Sequence, residues 1–222
     1  AAAGDTILLT ADVVTTEQVT INKAITLDGG GYTIDAAFVK TSNSNNSAIG
    51  VQSDNVLVKN LSVTSSADQP WPEQLHGINI YDSAGVILED VTASDFEGIG
   101  IVVNSSEVTA SNITTSNNGW HAINVDQRTS NPAVLTINNT SVHGEVSPVP
   151  NPHIYVDDTT KDVTVNDVDN QYYYEDFGDA RAYTLVPQPV TISDCKKGGW
   201  EGFGFSNQGQ CVRFVETGKD SR

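Results

Sequence analysis

The sequence repeats a short motif in which apolar and polar residues alternate until an Asn or Asp follows. Copies of this motif occupy residues 58–61, 88–91, 110–113, 137–140 and 165–168. Their Asn or Asp positions are 30, 22, 27 and 28 residues apart. A unit of this length is too small to bury a core alone, so repeats with such a period form stacks in which each unit packs on its neighbours. The sequence therefore predicts a stacked repeat architecture.

A second motif, Ile-x-Ile or a close variant, lies between these copies at 49–51, 78–80, 99–101, 123–125 and 154–156. Alternate residues of a β-strand point to the same face, and stacked strands lie roughly 4.8 Å apart. We therefore expect two buried columns of side chains. The first consists of Ile78, Ile99, Ile123 and Ile154, and the second of Ile80, Ile101, Val125 and Val156.

Together, these repeats resemble the right-handed parallel β-helix proteins of the pectin-lyase-like superfamily. The resemblance covers about residues 5–170 and implies an all-β fold, a right-handed parallel β-helix of about seven coils. It also implies a ladder of side-chain amides that bond from coil to coil, which would contain Asn60, Asp90, Asn112, Asn139 and Asp167. A β-sandwich would need more hairpin turns, and a leucine-rich repeat would need a shorter period with regular leucines.

The period ends near residue 170, which predicts a parallel β-helix over residues 1–170 and a tail over residues 171–222. The tail contains both cysteines, Cys195 and Cys211, and resembles a C-terminal two-cysteine motif of exported bacterial proteins. In an exported protein the two would form a disulfide, whereas a zinc site would need further ligands that this segment lacks. We expect a disulfide-stapled cap over the last coil, or alternatively a tag that binds a partner. No stretch of ten or more residues shows a convincing helical pattern.

The chain is strongly acidic, with 28 Asp and Glu residues against 11 Lys and Arg and a formal charge of −17. Nucleic acid and anionic membranes both need a cationic surface, so neither is an expected partner. No apolar run approaches the roughly 18 residues of a membrane span. The acidity makes calcium the one cofactor to consider, and none is otherwise expected. The start at Ala1 and the absence of Met fit a mature chain that is secreted or held at the cell surface.

Stacking the second motif brings side chains from successive coils together on the outer surface. Two residues before the buried isoleucines are His76, Glu97 and His121, and Asp126 follows three residues after Ile123. Imidazoles and carboxylates at short distances share protons in acid–base catalysis or bind a divalent metal. These four residues are the candidate catalytic group. The alternative is that they are polar turn residues.

Polysaccharide-cleaving members of the superfamily carry catalytic elements that this chain matches only in part. Galacturonan hydrolases have a Gly-His-Gly element, of which His76 and Gly77 match the second half. They also have an aspartate pair, and the pair here, Asp157 and Asp158, is on another coil. Their Arg-Ile-Lys element is missing, as is the Arg-x-Pro-x-x-Arg element of pectate lyases, and a lyase needs cations near its substrate. The sequence leaves open whether the protein is an enzyme.

Aromatic residues indicate a role in sugar binding. The residues that would form a surface for sugar rings are Trp71, Tyr81, Trp120 and Tyr155. The first function that we consider is an exported, non-catalytic surface or structural protein. It would contact a polysaccharide, or assemble end to end with copies of itself, because the ends of such a stack expose strand edges. The alternative is a polysaccharide lyase or glycoside hydrolase acting in a groove on the β-helix face.

Overall fold

A computed structural model gives the structure of the chain, and it describes residues 1–42, 46–68, 74–138, 141–143, 154–157, 163–167, 172–176, 180–185, 189 and 191–217. The described part is all-β apart from two short helices in the tail. The strands are β1 (Thr6–Leu8), β2 (Val13–Thr15), β3 (Val19–Ile21), β4 (Thr26–Asp28), β5 (Thr33–Ala36), β6 (Ser47–Val51), β7 (Leu57–Thr64), β8 (His76–Tyr81), β9 (Val86–Ser94), β10 (Ile101–Asn104), β11 (Glu107–Ser116), β12 (Ile123–Asp126), β13 (Ala133–Asn138), β14 (Ser141–His143), β15 (Ile154–Asp157), β16 (Val163–Asp167), β17 (Tyr172–Asp176) and β18 (Ala180–Leu185). The helices are α1 (Gly199–Gly202) and α2 (Gln208–Thr217).

Two sheets run along the repeats. Sheet A follows the order β1-β4-β7-β9-β11-β13-β16, and β2, β5 and β14 add to its side. Sheet B follows the order β3-β6-β8-β10-β12-β15-β18-β17. Strands pair in parallel with the strand about one repeat earlier, whereas β18 runs antiparallel to β15. This confirms the predicted right-handed parallel β-helix, and the seven strands on the main path of sheet A match the predicted number of coils.

The recurrent Asn or Asp of the first motif is the residue at which the chain bends. An early coil uses three separate strands, β4, β5 and β6. In the next three coils a single long strand, β7, β9 or β11, forms two sides of the coil. Each of these strands bends at a residue with left-handed backbone conformation. The bends are at Asn60, Asp90 and Asn112, with φ of 50°, 53° and 54°. Asn and Asp tolerate this conformation better than other residues that carry a Cβ.

The predicted ladder consists of amide–carboxylate pairs. Nδ2 of Asn60 donates to Oδ1 of Asp28 at 3.1 Å. Two coils further on, Nδ2 of Asn112 donates to Oδ1 of Asp90 at 2.9 Å. The backbone N–H of Gly30 and the amide of Asn60 hold the pKa of Asp28 below its ordinary value. Alternation of Asp and Asn therefore keeps carboxylates from facing each other on adjacent coils, where they would repel.

The last two members of the predicted ladder do not extend it. Asn139 lies outside the described residues. Asp167 pairs with Ile137 in sheet A, which places it two residues before the ladder level, so its predicted position is wrong. The hydrophobic pattern of a strand repeats every two residues. A change of two residues in the pairing register of the strand therefore leaves the pattern unchanged.

The first buried column is confirmed at three coils and wrong at one. Ile78, Ile123 and Ile154 share one level of sheet B. The remaining member is Ile101 rather than Ile99, since Ile101 pairs with both Ile78 and Ile123. A slip of two residues keeps every side chain on its own face, so alternation alone does not fix this register. The second column shifts in the same way and consists of Ile80, Val103, Val125 and Val156.

The chain divides into two compact units. The first contains residues 1–169 and 174–184, and the second contains residues 170–173 and 185–222. Most of β18 belongs to the first unit, where it pairs with β15 at the end of sheet B. The predicted boundary at residue 170 stays a prediction.

The second unit contains the predicted disulfide between Cys195 and Cys211, which is confirmed. Both cysteines are buried together with Phe205. The partly buried residues packed around them are Trp200, Phe203, Val212, Phe214 and Val215. A disulfide and a small apolar cluster therefore hold this unit together.

The helix α2, which carries Cys211, was not predicted. Oδ1 of Asn207 accepts the N–H of Gln210 at 3.0 Å, and Oε1 of Gln210 accepts the N–H of Ser206 at 3.1 Å. This reciprocal bonding resembles a capping box, which fixes the first turn of a helix. The spacing Asn-x-x-Gln was the signal available in the sequence.

Candidate functional site

The outer face of sheet B carries a row of side chains that lie level with one another. Strand pairing places Asn79, Val102, Asn124 and Tyr155 at this level, on β8, β10, β12 and β15. Each follows a residue of the first buried column, so its side chain points away from the core. We call these four residues the outer row. Two of them are nearly inaccessible, since Val102 is 5% exposed and Asn124 is 6% exposed.

The predicted alignment of His76, Glu97 and His121 is wrong at its middle member. The shifted register of β10 places Ile99 level with both histidines. Glu97 precedes Ile99 by two residues and is exposed. The structure therefore does not bring the glutamate between the two imidazoles, and a catalytic role for these residues stays a prediction.

His76 supports the backbone of the next coil. Its Nδ1 accepts the N–H of Ile99 at 3.0 Å, and its ring fills the space where a side chain at Gly98 would begin. Burial, aided by the positive charge of Lys40, lowers the pKa of His76 to about 4. The ring is therefore neutral at pH 7, and its proton is on Nε2 because Nδ1 is an acceptor. This geometry favours a turn residue over a catalytic one.

We expect the ring of His76 to stay neutral well below the ordinary pKa of histidine. The folded-state pKa lies below the ordinary value of 6.5, so a falling pH protonates the unfolded chain first. The stability that depends on the neutral ring is present above pH 6.5 and is lost as the pH falls toward 4. NMR of the imidazole signals will check this, with the urea-unfolded chain as control. A midpoint for folded His76 equal to that of the unfolded chain would contradict it.

His121 differs from His76 because its buried Nδ1 has no hydrogen-bond partner among the described residues. The ring stacks on Tyr155, with 4.5 Å between the centroids and 11° between the planes. Burial lowers the pKa of His121 to about 4, so this imidazole is also neutral at pH 7. A neutral ring with a free, buried nitrogen has hydrogen-bonding capacity that a ligand can use.

Asn124 is the polar residue of the outer row next to Tyr155, and it is 6% exposed. On earlier coils the amides are bonded to one another. Asn104 donates to Asn79, and Asn79 donates to Asn46, both at 3.2 Å. Because Asn124 lies beside the ring on which His121 stacks, it is a candidate binding position.

Neither Asn124 nor Val102 was among the predicted site residues. The available signal was the central position of the Ile-x-Ile motif, which alternation turns outward. At Asn124 that position is polar. On β10 the predicted alignment was two residues off and placed Gly100, not Val102, level with Asn124. The sequence therefore did not show that Val102 and Asn124 are neighbours.

Asp126 is engaged in an ion pair. Its carboxylate is buried and contacts Nε of Arg128, whose Nη2 lies 3.6 Å from Oδ2 of Asp157. The hydroxyl of Ser105 accepts the N–H groups of Arg128 and Thr129 at 2.7 and 2.8 Å and so holds this turn. Two carboxylates therefore share one guanidinium. Because the guanidinium of Arg128 contacts the carboxylate of Asp126, this geometry favours a structural role for Asp126.

The predicted aromatic surface is assembled only in part. Tyr155 belongs to the outer row, and the half-buried Trp120 directly precedes His121. Tyr81 is 42% exposed and lies level with Asn104 on β10. Trp71 lies outside the described residues. The sugar-binding role of this surface stays a prediction.

Other features of the described residues do not add to this site. No group of three or more His, Cys, Asp or Glu within the described ranges is arranged to hold a metal ion. In the same ranges, no helix has the length and apolar character needed to cross a membrane. An open groove of about 530 Å³ lies at the ladder corner of sheet A, lined in part by Asp28, Gly30, Asn60 and Asp90.

Comparison with protein-family models matches residues 6–171 to a family described as right handed beta helix region. Comparison with curated proteins and with solved structures gave no match. The matched range covers the repeats and ends before the two-cysteine tail. Fold and family therefore agree, and the outer row is the feature from which function has to be argued.

Proposed function

Because the chain belongs to the right handed beta helix region family, we propose that it is an exported, non-catalytic β-helix protein that binds an uncharged glycan on the outer face of sheet B. Function in widespread folds depends on the side chains of a site rather than on the scaffold. The proposal therefore rests on the outer row and on the residues around it.

The observation that carries this proposal is a buried nitrogen without a hydrogen-bond partner beside an aromatic ring. Within the described residues this atom is Nδ1 of His121, whose ring stacks on Tyr155. Strand pairing places the polar side chain of Asn124 beside the same tyrosine. Ligand sites typically combine apolar and aromatic surface with a few well-placed polar groups. The three residues supply both.

The arrangement of the candidate catalytic residues supports binding over catalysis. Glycoside hydrolysis uses two carboxyl groups, one of which must carry a proton. The carboxylate of Asp126 is held by Arg128, and Glu97 does not lie between the histidines. Nδ1 of His76 is bonded to the backbone. These contacts favour binding over acid–base catalysis at these residues.

The charges near the outer row favour an uncharged ligand. Two carboxylates, Asp126 and Asp157, share the single guanidinium of Arg128. The chain as a whole carries a formal charge of −17. An anionic polysaccharide would be repelled by this field, whereas a neutral one would not.

The disulfide supports the exported location. Disulfides such as that between Cys195 and Cys211 form and persist in oxidising environments, outside the cytosol. A protein displayed there meets polysaccharides of the cell's own envelope or of its surroundings. Glycan contact and location are therefore consistent with each other.

We expect the protein to bind at least one neutral polysaccharide without cleaving it. Affinity electrophoresis against neutral and acidic polysaccharides, with and without calcium, measures binding, and an assay for reducing ends measures cleavage. Tyr155→Ala should weaken binding by roughly tenfold, because it removes the ring against which a sugar would pack. Tyr32→Ala, at a tyrosine exposed by 38%, is the matched control. Turnover of any substrate that His121→Ala abolishes would replace this proposal by the enzymatic alternative.

End-to-end association of copies is a second candidate, supported by the first coil. Ile7, Leu8 and Val14 of β1 and β2 are 39%, 58% and 66% exposed. Ile7 is level with Leu27 of the next coil, which is 4% exposed, whereas Ile7 itself is 39% exposed. Exposed strand edges with apolar side chains favour pairing with another chain. Negative-stain images that show only single particles would exclude this candidate.

A further inference from the structure

The ladder at the corner of sheet A is interrupted between two of its members. Pairing of Leu61 with Val91 fixes the register of two adjacent coils. Asn60 and Asp90 are therefore level with each other, on coils that lie roughly 4.8 Å apart. Nδ2 of Asn60 donates to Asp28 on the preceding coil. Because the two polar atoms of an amide point apart, Oδ1 of Asn60 faces the coil of Asp90, whose carboxylate has no hydrogen to donate.

Two oxygen atoms have no donor at this interruption. Oδ1 of Asp90 accepts from Asn112 at 2.9 Å. Within the described residues, however, neither Oδ2 of Asp90 nor Oδ1 of Asn60 accepts a hydrogen bond. The carboxylate of Asp28 is different, since its Oδ2 lies 3.3 Å from Nζ of Lys59. The interruption therefore contains one carboxylate that no described cation neutralises, beside an amide oxygen that needs a donor.

The interruption lies within the groove of about 530 Å³ at the ladder corner, which Leu8 also lines. Leu8 is 58% exposed and is level with Asp28 on the outer side of sheet A. The midpoint between Asn60 and Asp90 lies two and a half coil spacings beyond Leu8, roughly 12 Å away. A groove of this volume admits a ligand with several non-hydrogen atoms. It thus offers an apolar contact at one end and oxygen acceptors at the other.

A primary ammonium group on a hydrocarbon stem matches this arrangement. It has three donors and no acceptor, and its bonds to oxygens, about 2.7–2.9 Å long, suit two acceptors on adjacent coils. The charge of −17 on the chain attracts cations, and the stem would pack against Leu8. A calcium ion fits less well, because it takes about six to eight oxygen ligands. The described residues contain no group of three acidic, imidazole or thiol side chains arranged for a metal.

We propose that the groove at the ladder corner binds a primary alkylammonium group between Oδ1 of Asn60 and Oδ2 of Asp90, with the hydrocarbon stem against Leu8. This site lies on sheet A and goes beyond the glycan contact proposed for sheet B. Two sources supply such a group, the lysine side chain of a peptide or protein and a free diamine. Both present the same ammonium ion on an unbranched stem.

NMR with small probes tests the inference directly. The side-chain amide signals of Asn60 are followed at pH 7 and constant ionic strength while n-hexylamine, methylamine or 1-hexanol is added to the full chain. We expect n-hexylamine to bind at least about tenfold more tightly than the other two, because it alone has both the charge and the stem. Equal affinity for methylamine would indicate unspecific attraction to the acidic chain and would overturn the inference. An absence of any shift with n-hexylamine would mean that water alone occupies the interruption, which would also overturn it.

The same titration distinguishes the two sources of the ammonium group. One arm uses 1,5-diaminopentane, and the other uses a short uncharged peptide that contains a single lysine. Shifts of the Asn60 amide with either probe support the site, and the probe that binds more tightly identifies the source. If neither probe shifts these signals, a site for alkylammonium groups is refuted.

A charge-matched pair of variants tests the role of the interruption. Asp90→Asn supplies the missing donor, since the new amide can donate to Asn60 and still accept from Asn112. Asparagine also tolerates the left-handed backbone at this position. We expect affinity for n-hexylamine to fall at least about tenfold while thermal stability is kept. Glu107→Gln removes the same charge at an exposed position of β11 and should retain the affinity of the parent. Unchanged affinity of Asp90→Asn would refute the proposed site.

A second variant tests the contact with the stem. Leu8→Ala shortens an exposed side chain, so the fold should be retained. We expect this change to weaken binding of n-hexylamine and to leave the weaker binding of methylamine unchanged, because methylamine has no stem. An equal loss for the two amines, or no loss for either, would contradict the placement of the stem against Leu8.

Discussion

Replacing Ile123 by alanine should lower the free energy of unfolding by roughly 2–5 kcal/mol. Ile123 is fully buried and lies between Ile101 and Ile154 in the first buried column. Truncation removes apolar contacts and leaves a cavity that the surrounding side chains fill only in part. Stacked repeats are stabilised largely by contacts between neighbours, so a loss in a central coil weakens both of its interfaces. Urea denaturation followed by circular dichroism measures the change.

The matched control for this variant is Ile87→Ala. Ile87 lies on β9 with its side chain on the outer side of sheet A, and it is 39% exposed. Its truncation should cost less than about 1 kcal/mol, because little buried surface is lost and no cavity forms. A loss at Ile123 no larger than the loss at Ile87 would show that the column on which the fold depends is not a packed core.

Removing the disulfide by the double change Cys195→Ser and Cys211→Ser should unfold the second unit while the β-helix stays folded. The bond closes a loop with a sequence separation of 16 residues. Closing a loop of this length contributes about 3 kcal/mol in the chain-entropy model. A unit this small seldom has more than roughly 3–5 kcal/mol from its apolar core. The bond therefore supplies a share of the unit's stability comparable to that of its apolar core.

Limited proteolysis with mass spectrometry of the fragments measures this effect. We expect rapid cleavage within residues 191–217 of the double variant and a protected fragment that contains the repeats. Ser206→Ala, at an exposed serine of the same unit, should be cleaved at the rate of the parent. Resistance of the double variant equal to that of the parent would mean that Phe205 and the aromatic residues around it suffice without the bond.

The fold was predictable because the sequence shows both the spacing of the repeats and the alternation of apolar and polar residues within each strand. The spacing of Asn60, Asp90 and Asn112 predicted the corners, and all three have the left-handed backbone that such a bend requires. The register of β10 was not predictable in the same way. Residues 99, 101 and 103 are all apolar and alternate, so the pattern fits two alignments that differ by two residues. Only the backbone pairing of Ile101 with Ile78 and Ile123 distinguishes them.

The helix α2 was not predicted, for a different reason. Its ten residues include Gln208, Gly209 and Thr217, of which glycine is a poor helix former, and its apolar face is short. The helix depends on tertiary contacts with the disulfide and with Phe205, and on the cap at Asn207. Tertiary contacts of this kind override weak local propensity, so the helix leaves no clear periodicity in the sequence.

The candidate site could be predicted only in outline. Tyr155 and His121 follow from their positions beside the Ile-x-Ile motif, and the structure stacks their rings. Sequence shows which side chains are polar but not which of them have partners. Nδ1 of His76 accepts a backbone N–H, whereas Nδ1 of His121 has no hydrogen-bond partner among the described residues, and this difference separates a turn residue from a candidate binding residue. The proposed glycan contact depends on that distinction.

The antiparallel strand β18 ends the coil-by-coil order of sheet B. From β3 to β15 the described strands of this sheet pair in parallel. β18 pairs with β15 in the opposite direction, and β17 follows it in the sheet. Within the described residues, the direct stacking of like positions in sheet B therefore stops at Ile154–Asp157, and the two strands beyond it close the sheet without adding another repeat.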